Sequence, residues 1–97
     1  MIVIAGSFRL PPGAAAQTAL VEVVESTRRE PGCMWYSYAR DVDDHEVVRV
    51  SEGWASRASL EAHLAAPHME RWRSVRETLG LRDRQMRAYE TDEGQPL

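Results

Sequence analysis

Hydrophobic positions along this chain switch between a period of two and a helical period, and each switch marks an element. Ile2 to Leu10 is apolar on both alternations, with Ile2, Ile4 and Phe8 on one face and Val3 and Ala5 on the other, the pattern of a central strand covered on both sides. Pro11, Pro12 and Gly13 end it, since consecutive prolines offer no N–H to a ladder. Ala14 to Arg29 contains neither Gly nor Pro and sets Ala16, Leu20, Val23, Val24 and Thr27 at helical spacing. Glu22, Glu25, Arg28 and Arg29 fall largely opposite, which predicts an amphipathic helix with one face on the sheet. Glu30, Pro31 and Gly32 stop it.

Cys33 to Arg40 alternates again, Met34, Tyr36 and Tyr38 facing one way and Cys33, Trp35 and Ala39 the other, as broad rings pack on a pleated surface. The acidic turn Asp41-Val42-Asp43-Asp44 reverses the chain into an answering strand from His45 to Trp54. There Glu52 is flanked on its own face by Val50 and Trp54, so this carboxylate needs a partner, such as an Arg of this chain or of a second subunit. Ser56 is an N-cap candidate for a helix carrying Leu60, His63 and Leu64 on one side. Pro67 interrupts that helix and opens a second, lined by Met69, Trp72, Val75 and Leu79 and closed by Gly80. Arg82 to Thr91 alternates weakly, as an edge strand would, and Asp92 to Leu97 is a loose polar tail.

Residues 1–91 thus read as one domain of strand, helix, strand, strand, helix in two pieces, strand. Right-handed crossovers turn that order into a ferredoxin-like α+β sandwich, an antiparallel sheet with its helices on one face. The opposite face is also partly apolar and must be covered; a second copy packing sheet to sheet is the simplest cover. The 97 residues, 43% of them apolar, support only a small core, which points the same way, to an oligomer.

Charge and composition narrow the chemistry. Twelve basic residues against fifteen acidic ones leave a net charge of −3, and the basic residues are scattered, so neither nucleic acid nor an anionic membrane is expected as a partner. All twelve are Arg; with no Lys, Schiff-base chemistry, a lysine base and pyridoxal attachment are excluded. The single cysteine, Cys33, rules out an internal disulfide and a Cys-rich metal site, and its place at the mouth of a strand suits a packed thiol. The apolar N-terminus has no basic region before it and is too short for a signal sequence or a membrane span, so a cytoplasmic location is expected.

The titratable candidates sit close together. His63, on the apolar side of its helix, reads either as a packed residue with one hydrogen bond or as a general base near neutral pH. His68, one helical turn before Trp72, could line the same pocket or serve the helix start. A shared metal site is not expected: five residues with a proline between them is not the four-residue spacing that sets two imidazoles side by side, and Glu61 and Glu70 face elsewhere. Trp54 and Trp72 could wall a pocket for a flat ring, and Tyr36 and Tyr38 could donate to a quinol oxygen.

Glu30-Pro31-Gly32-Cys33 continuing to Tyr36, then Glu52, Trp54, Ser56, Leu60, His63 and Pro67-His68, together resemble the antibiotic biosynthesis monooxygenase family. The resemblance runs from the first strand to Tyr89 and implies a homodimer of ferredoxin-like folds, a dimeric α/β barrel with a pocket in each subunit between helices and sheet. It also implies, for some members, oxygenation of a small aromatic or quinol by O2 with no metal, flavin or haem, the substrate supplying the electrons. On that basis His63, His68 and Tyr36 are the candidate catalytic set and Trp54, Trp72 and Ser7 the candidate substrate-binding set. The polyketide-oxidising branch uses an Asn, Trp and Tyr group, and the haem-degrading branch an Asn on the first strand and a Trp on the helix. This chain has no Asn and carries Ser7 and His63 at those last two places, so the resemblance does not extend to haem degradation. A non-catalytic dimer that binds a small ligand, and an isomerase of a small metabolite, are the alternatives. The isomerase would want a cationic pocket, for which Arg49, Arg71 and Arg73 are the candidates.

Overall fold

The computed structural model covers Met1–Leu97 and orders them as β1 (Ile2–Arg9), α1 (Ala14–Arg28), β2 (Cys33–Arg40), β3 (Val47–Trp54), α2 (Arg57–Leu64), α3 (Pro67–Thr78) and β4 (Arg82–Glu90). The strands form one sheet in the order β2-β3-β1-β4, every neighbour antiparallel. The strand that is apolar on both faces, β1, takes an interior place, while the weakly alternating β4 lies at an edge, as their patterns predict. This is the ferredoxin-like α+β arrangement.

Register assigns the faces. Ile4 lies opposite Glu52 on one side and Ala88 on the other, and Tyr36 also pairs with Glu52. Ile2, Ile4, Phe8, Tyr36, Val48, Val50, Glu52 and Trp54 therefore share one face, and all are buried under the helices. Phe8, Leu10, Val48 and Val50 pack with Ala16, Leu20 and Val23 of α1 and Met69 and Trp72 of α3; Ile2, Ile4, Tyr36, Trp54 and Leu60 make a second cluster. A wholly buried side chain such as Leu10 contributes roughly 2 kcal/mol to this core.

Two local departures from the expected pattern have clear causes. β3 begins at Val47 rather than His45, because the acidic turn satisfies its own backbone: Asp41 Oδ1 accepts from the N–H groups of Asp43 (2.8 Å) and Asp44 (3.2 Å), and Asp44 Oδ1 from Glu46 (3.1 Å). The β2–β3 register shifts between Cys33 and Trp35, so Met34 leaves the Tyr36–Tyr38 face and is exposed. Trp35 then lies flat on the helix-free face over Gly53, where a Cβ would come 2.3 Å from the indole, and its Nε1–H donates to Ser51 Oγ at 2.9 Å. Only glycine permits that approach.

Candidate functional site

The site is assembled by three chain breaks, each legible in local chemistry. Glu30-Pro31-Gly32-Cys33 is a tight turn with Pro second and Gly third; Gly32 has φ 81°, and Cys33 N–H donates to Glu30 O at 3.2 Å. Ala55 N–H donates to Gly32 O at 2.8 Å, tying the turn to the end of β3. A Cβ on Gly32 would lie 2.1 Å from Ser59 Oγ, so α2 packs directly on this turn. At the second break Ser56, in extended conformation, accepts the Ser59 N–H (3.1 Å) and starts α2, whose buried residues are Leu60 and His63. At the third, Pro67 opens α3 where no backbone donor is needed, and the new helix direction brings the His68 ring to 6.1 Å from that of His63.

These breaks converge on Glu30. Its Oε1 lies 3.1 Å from His63 Nδ1 and 2.8 Å from His68 Nε2, and Thr27 Oγ1 is 3.1 Å from the same His68 nitrogen. Because a carboxylate only accepts, Nδ1 of His63 carries the proton; in the neutral ring Nε2 is then the acceptor left for the cavity that His63 lines. Trp54 stacks beside His63 at 4.6 Å and Tyr36 meets it edge-on at 5.4 Å. Burial lowers the His63 pKa from its ordinary value while Glu30 opposes that shift, and the net direction favours the neutral ring.

The same three groups place two imidazole nitrogens and a carboxylate oxygen within 4.8 Å of one another, a donor set that could hold a divalent metal ion. This corrects the expectation from spacing that the two histidines stay apart: the helix break at Pro67 turns His68 toward His63, and the third donor, Glu30, comes from the turn that follows α1.

Between the sheet and α2/α3 lies a cavity of about 340 Å³, lined in part by Tyr36, Tyr38, Glu52, His63, Trp72 and Arg76. Tyr36 is buried and its phenol is 2.7 Å from that of Tyr38, which burial pushes up to about 12; Tyr36 is driven higher still for the same reason. Glu52 finds its partner within its own strand rather than in an arginine: the Trp54 Nε1–H donates to Oε1 at 3.0 Å. Burial raises the Glu52 carboxyl above the ordinary range, and the indole bond only partly offsets it.

Of the residues singled out from sequence, His63, Tyr36 and Trp72 line this cavity. Trp54 does not form a wall; wholly buried, it supports His63 and Glu52 from behind. His68 faces a separate recess of about 100 Å³ between α1 and α3 and reaches the site only through Glu30. Ser7 lies on the helix-free face of the sheet, paired with Arg49 and Gln85, because its place in β1 alternates away from Ile4 and Phe8. None of Arg49, Arg71 and Arg73 lines the cavity; Arg49 pairs with Asp41, Arg71 lines the α1/α3 recess and Arg73 donates to Leu64 O. Arg57, Arg76, Arg84 and Arg87 line it instead. Glu30 and Arg76 were the residues to find: Glu30 heads the turn that the Pro-Gly pair demands, and Arg76 follows Trp72 by four on the same helical face.

The fold and this buried histidine site define a ferredoxin-like α+β protein with one titratable cavity between sheet and helices. A family model described as antibiotic biosynthesis monooxygenase matches residues 1–75, and the chain belongs to that family. It is similar to a crystal structure from Deinococcus radiodurans, assigned provisionally to the same family, at 25% identity and a TM-score of 0.90 over 100% of this chain and 98% of that one. A Pseudomonas aeruginosa structure is similar at 25% identity and a TM-score of 0.80, covering 93% and 92% of the two chains. An uncharacterised protein of Synechocystis is 29% identical over 98 aligned positions, spanning 99% of this chain and 67% of that protein. No helix is long and apolar enough to cross a membrane.

Proposed function

We propose that this chain is a cofactor-independent monooxygenase of a small aromatic substrate such as a quinol or an anthrone, with His63 as the general base. The observation that carries the reading is the His63 side chain: a neutral imidazole, Nδ1 held by Glu30 and ring stacked on Trp54, at the wall of a cavity roomy enough for a flat ring. Nε2 takes a proton from the substrate, and Glu30 stabilises the imidazolium that forms. The resulting electron-rich anion passes an electron to O2, and combination of the radical pair forms the new C–O bond. For an anthrone the balance is a CH2 group and O2 giving a ketone and water. The substrate supplies the electrons, so no cofactor is required. Tyr36, acting through Tyr38, orients the phenolic oxygen, and Trp72 forms a wall.

The active form is a homodimer in the same reading. Val3, Ala5 and the half-exposed Trp35 share the helix-free face, and a second copy packed sheet to sheet removes that apolar surface from water. The lining arginines favour a second reading, an isomerase of a small anionic metabolite in which His63 moves a proton without O2.

Oxygen uptake by metal-stripped protein against a panel of quinols and anthrones tests the first reading. Uptake above autoxidation that falls in folded His63→Ala protein supports it. Uptake equal in parent and variant removes His63 as base, and anaerobic turnover of a substrate with proton exchange from solvent moves the assignment to the isomerase.

A further inference from the structure

Four arginines and a single carboxylate, Glu52, line the cavity, in a chain whose net charge is −3. Most arginines of this protein are accounted for. Arg9, Arg49, Arg57 and Arg82 pair with carboxylates, and Arg28, Arg40 and Arg73 donate to backbone carbonyls. Of the cavity-lining arginines, Arg76, Arg84 and Arg87 have neither kind of partner; Arg87 pairs with Ala5 and so alternates toward the helix-free face, which leaves Arg76 from α3 and Arg84 from β4. Arg76 is half-buried; burial, and next the nearby Arg84 charge, lower its pKa. Glu52 makes no ion pair with either, since its Oε1 is engaged by the Trp54 indole, although its carboxyl feels the Arg84 charge. Two guanidinium groups that face one cavity with no ion-pair partner repel in the empty site, and an anion between them reverses the sign.

We infer that the cavity takes its substrate by an anionic group, a carboxylate or a phosphate, seated between Arg76 and Arg84, with the reacting end of the molecule at His63. The inference rests on reading this cavity as the substrate site. The planar guanidinium fork suits both oxyanions, and Tyr38, close to both arginines in charge, lies beside the same subsite. The α3 helix divides the labour along one face: Met69 and Trp72 supply apolar wall, and Arg76, one turn on from Trp72, supplies the charge.

Matched ligand pairs test this under argon, by calorimetry and without turnover. One pair is 2,5-dihydroxybenzoate with hydroquinone, the other phenyl phosphate with phenol. The anionic member of at least one pair is expected to bind about tenfold more tightly or better, with a preference that shrinks as salt rises, and whichever anion gains more assigns the group. Arg76→Gln and Arg84→Gln abolish that preference. Arg76→Lys retains part of it, and Arg71→Gln, in the other recess, retains all of it. Arg84 is exposed on an edge strand, so its variant carries the test even where Arg76→Gln folds poorly. Equal affinities within both pairs, or a preference that survives in Arg84→Gln, overturn the inference. Charge preference without oxygen uptake keeps the anion subsite and defeats the monooxygenase reading; uptake with no charge preference does the reverse.

Discussion

The two faces of the sheet are built from the same strands and differ in how they treat polar groups. Under the helices each buried polar side chain has a dedicated partner: Glu52 has Trp54, Tyr36 has Tyr38, and His63 has Glu30. On the helix-free face Arg49 pairs with Asp41 at the surface, Ser51 accepts from the Trp35 indole, and Trp35 itself remains half-exposed over Gly53. A buried polar group without a partner costs about 1–3 kcal/mol, so the fully buried polar groups of the covered face are each matched. The contrast separates residues that build chemistry from residues that await a neighbour. It also explains why Ser7, though conspicuous in sequence, stands apart from the cavity.

The comparison breaks most severely at Trp54. Trp54→Ala removes a wholly buried indole, the support of His63 and the partner of Glu52, and is expected to cost roughly 3–5 kcal/mol in urea unfolding. Trp35→Ala, on the other face, should cost far less in the monomer and act instead on dimer dissociation, read by light scattering across a dilution series. For catalysis, His63→Ala should lower oxygen uptake by about 10²–10⁴. Glu30→Gln keeps the fold while loosening the ring, and should lower uptake less.

Gly32→Ala should destabilise by roughly 1–2 kcal/mol, since a side chain there is strained at φ 81° and meets Ser59. A Gly32→Ala protein as stable as the parent in urea would show that α2 does not depend on this turn.

Titration sharpens the contrast further. His63 is less basic folded than unfolded, so the unfolded chain binds more protons below about pH 6.5 and stability falls as pH drops through that value. His63→Gln should flatten the fall, as followed by melting temperature. Glu52 has the opposite linkage. Its carboxyl is raised in the fold, so the folded chain holds the proton longer and stability is lost as pH rises above the unfolded value near 4.5. Glu52→Gln, which keeps an acceptor for the Trp54 indole, should therefore melt higher than the parent at neutral pH, and the two should converge at low pH. The smallest effect is expected at Ser7, where Ser7→Ala should change oxygen uptake by less than about twofold; a larger loss would show that the helix-free face takes part in the chemistry.

The periodicities of the chain determined the element order, the interior place of β1, the apolar face of α1 and the helix break at Pro67, because these depend on neighbours within a few residues. Local rules also exposed Glu52 as a carboxylate in need of a partner, although they pointed to an arginine and the fold chose an indole two residues away. The convergence of Glu30, His63 and His68 was decided only by tertiary structure, since Glu30 and His63 are 33 positions apart and meet through one turn packed on one helix. The bulge at Met34, the exclusion of Ser7 from the cavity and the inward arginines were likewise settled by register and packing. A side chain's face follows from its own strand or helix, but which other face it meets depends on how distant elements share one core.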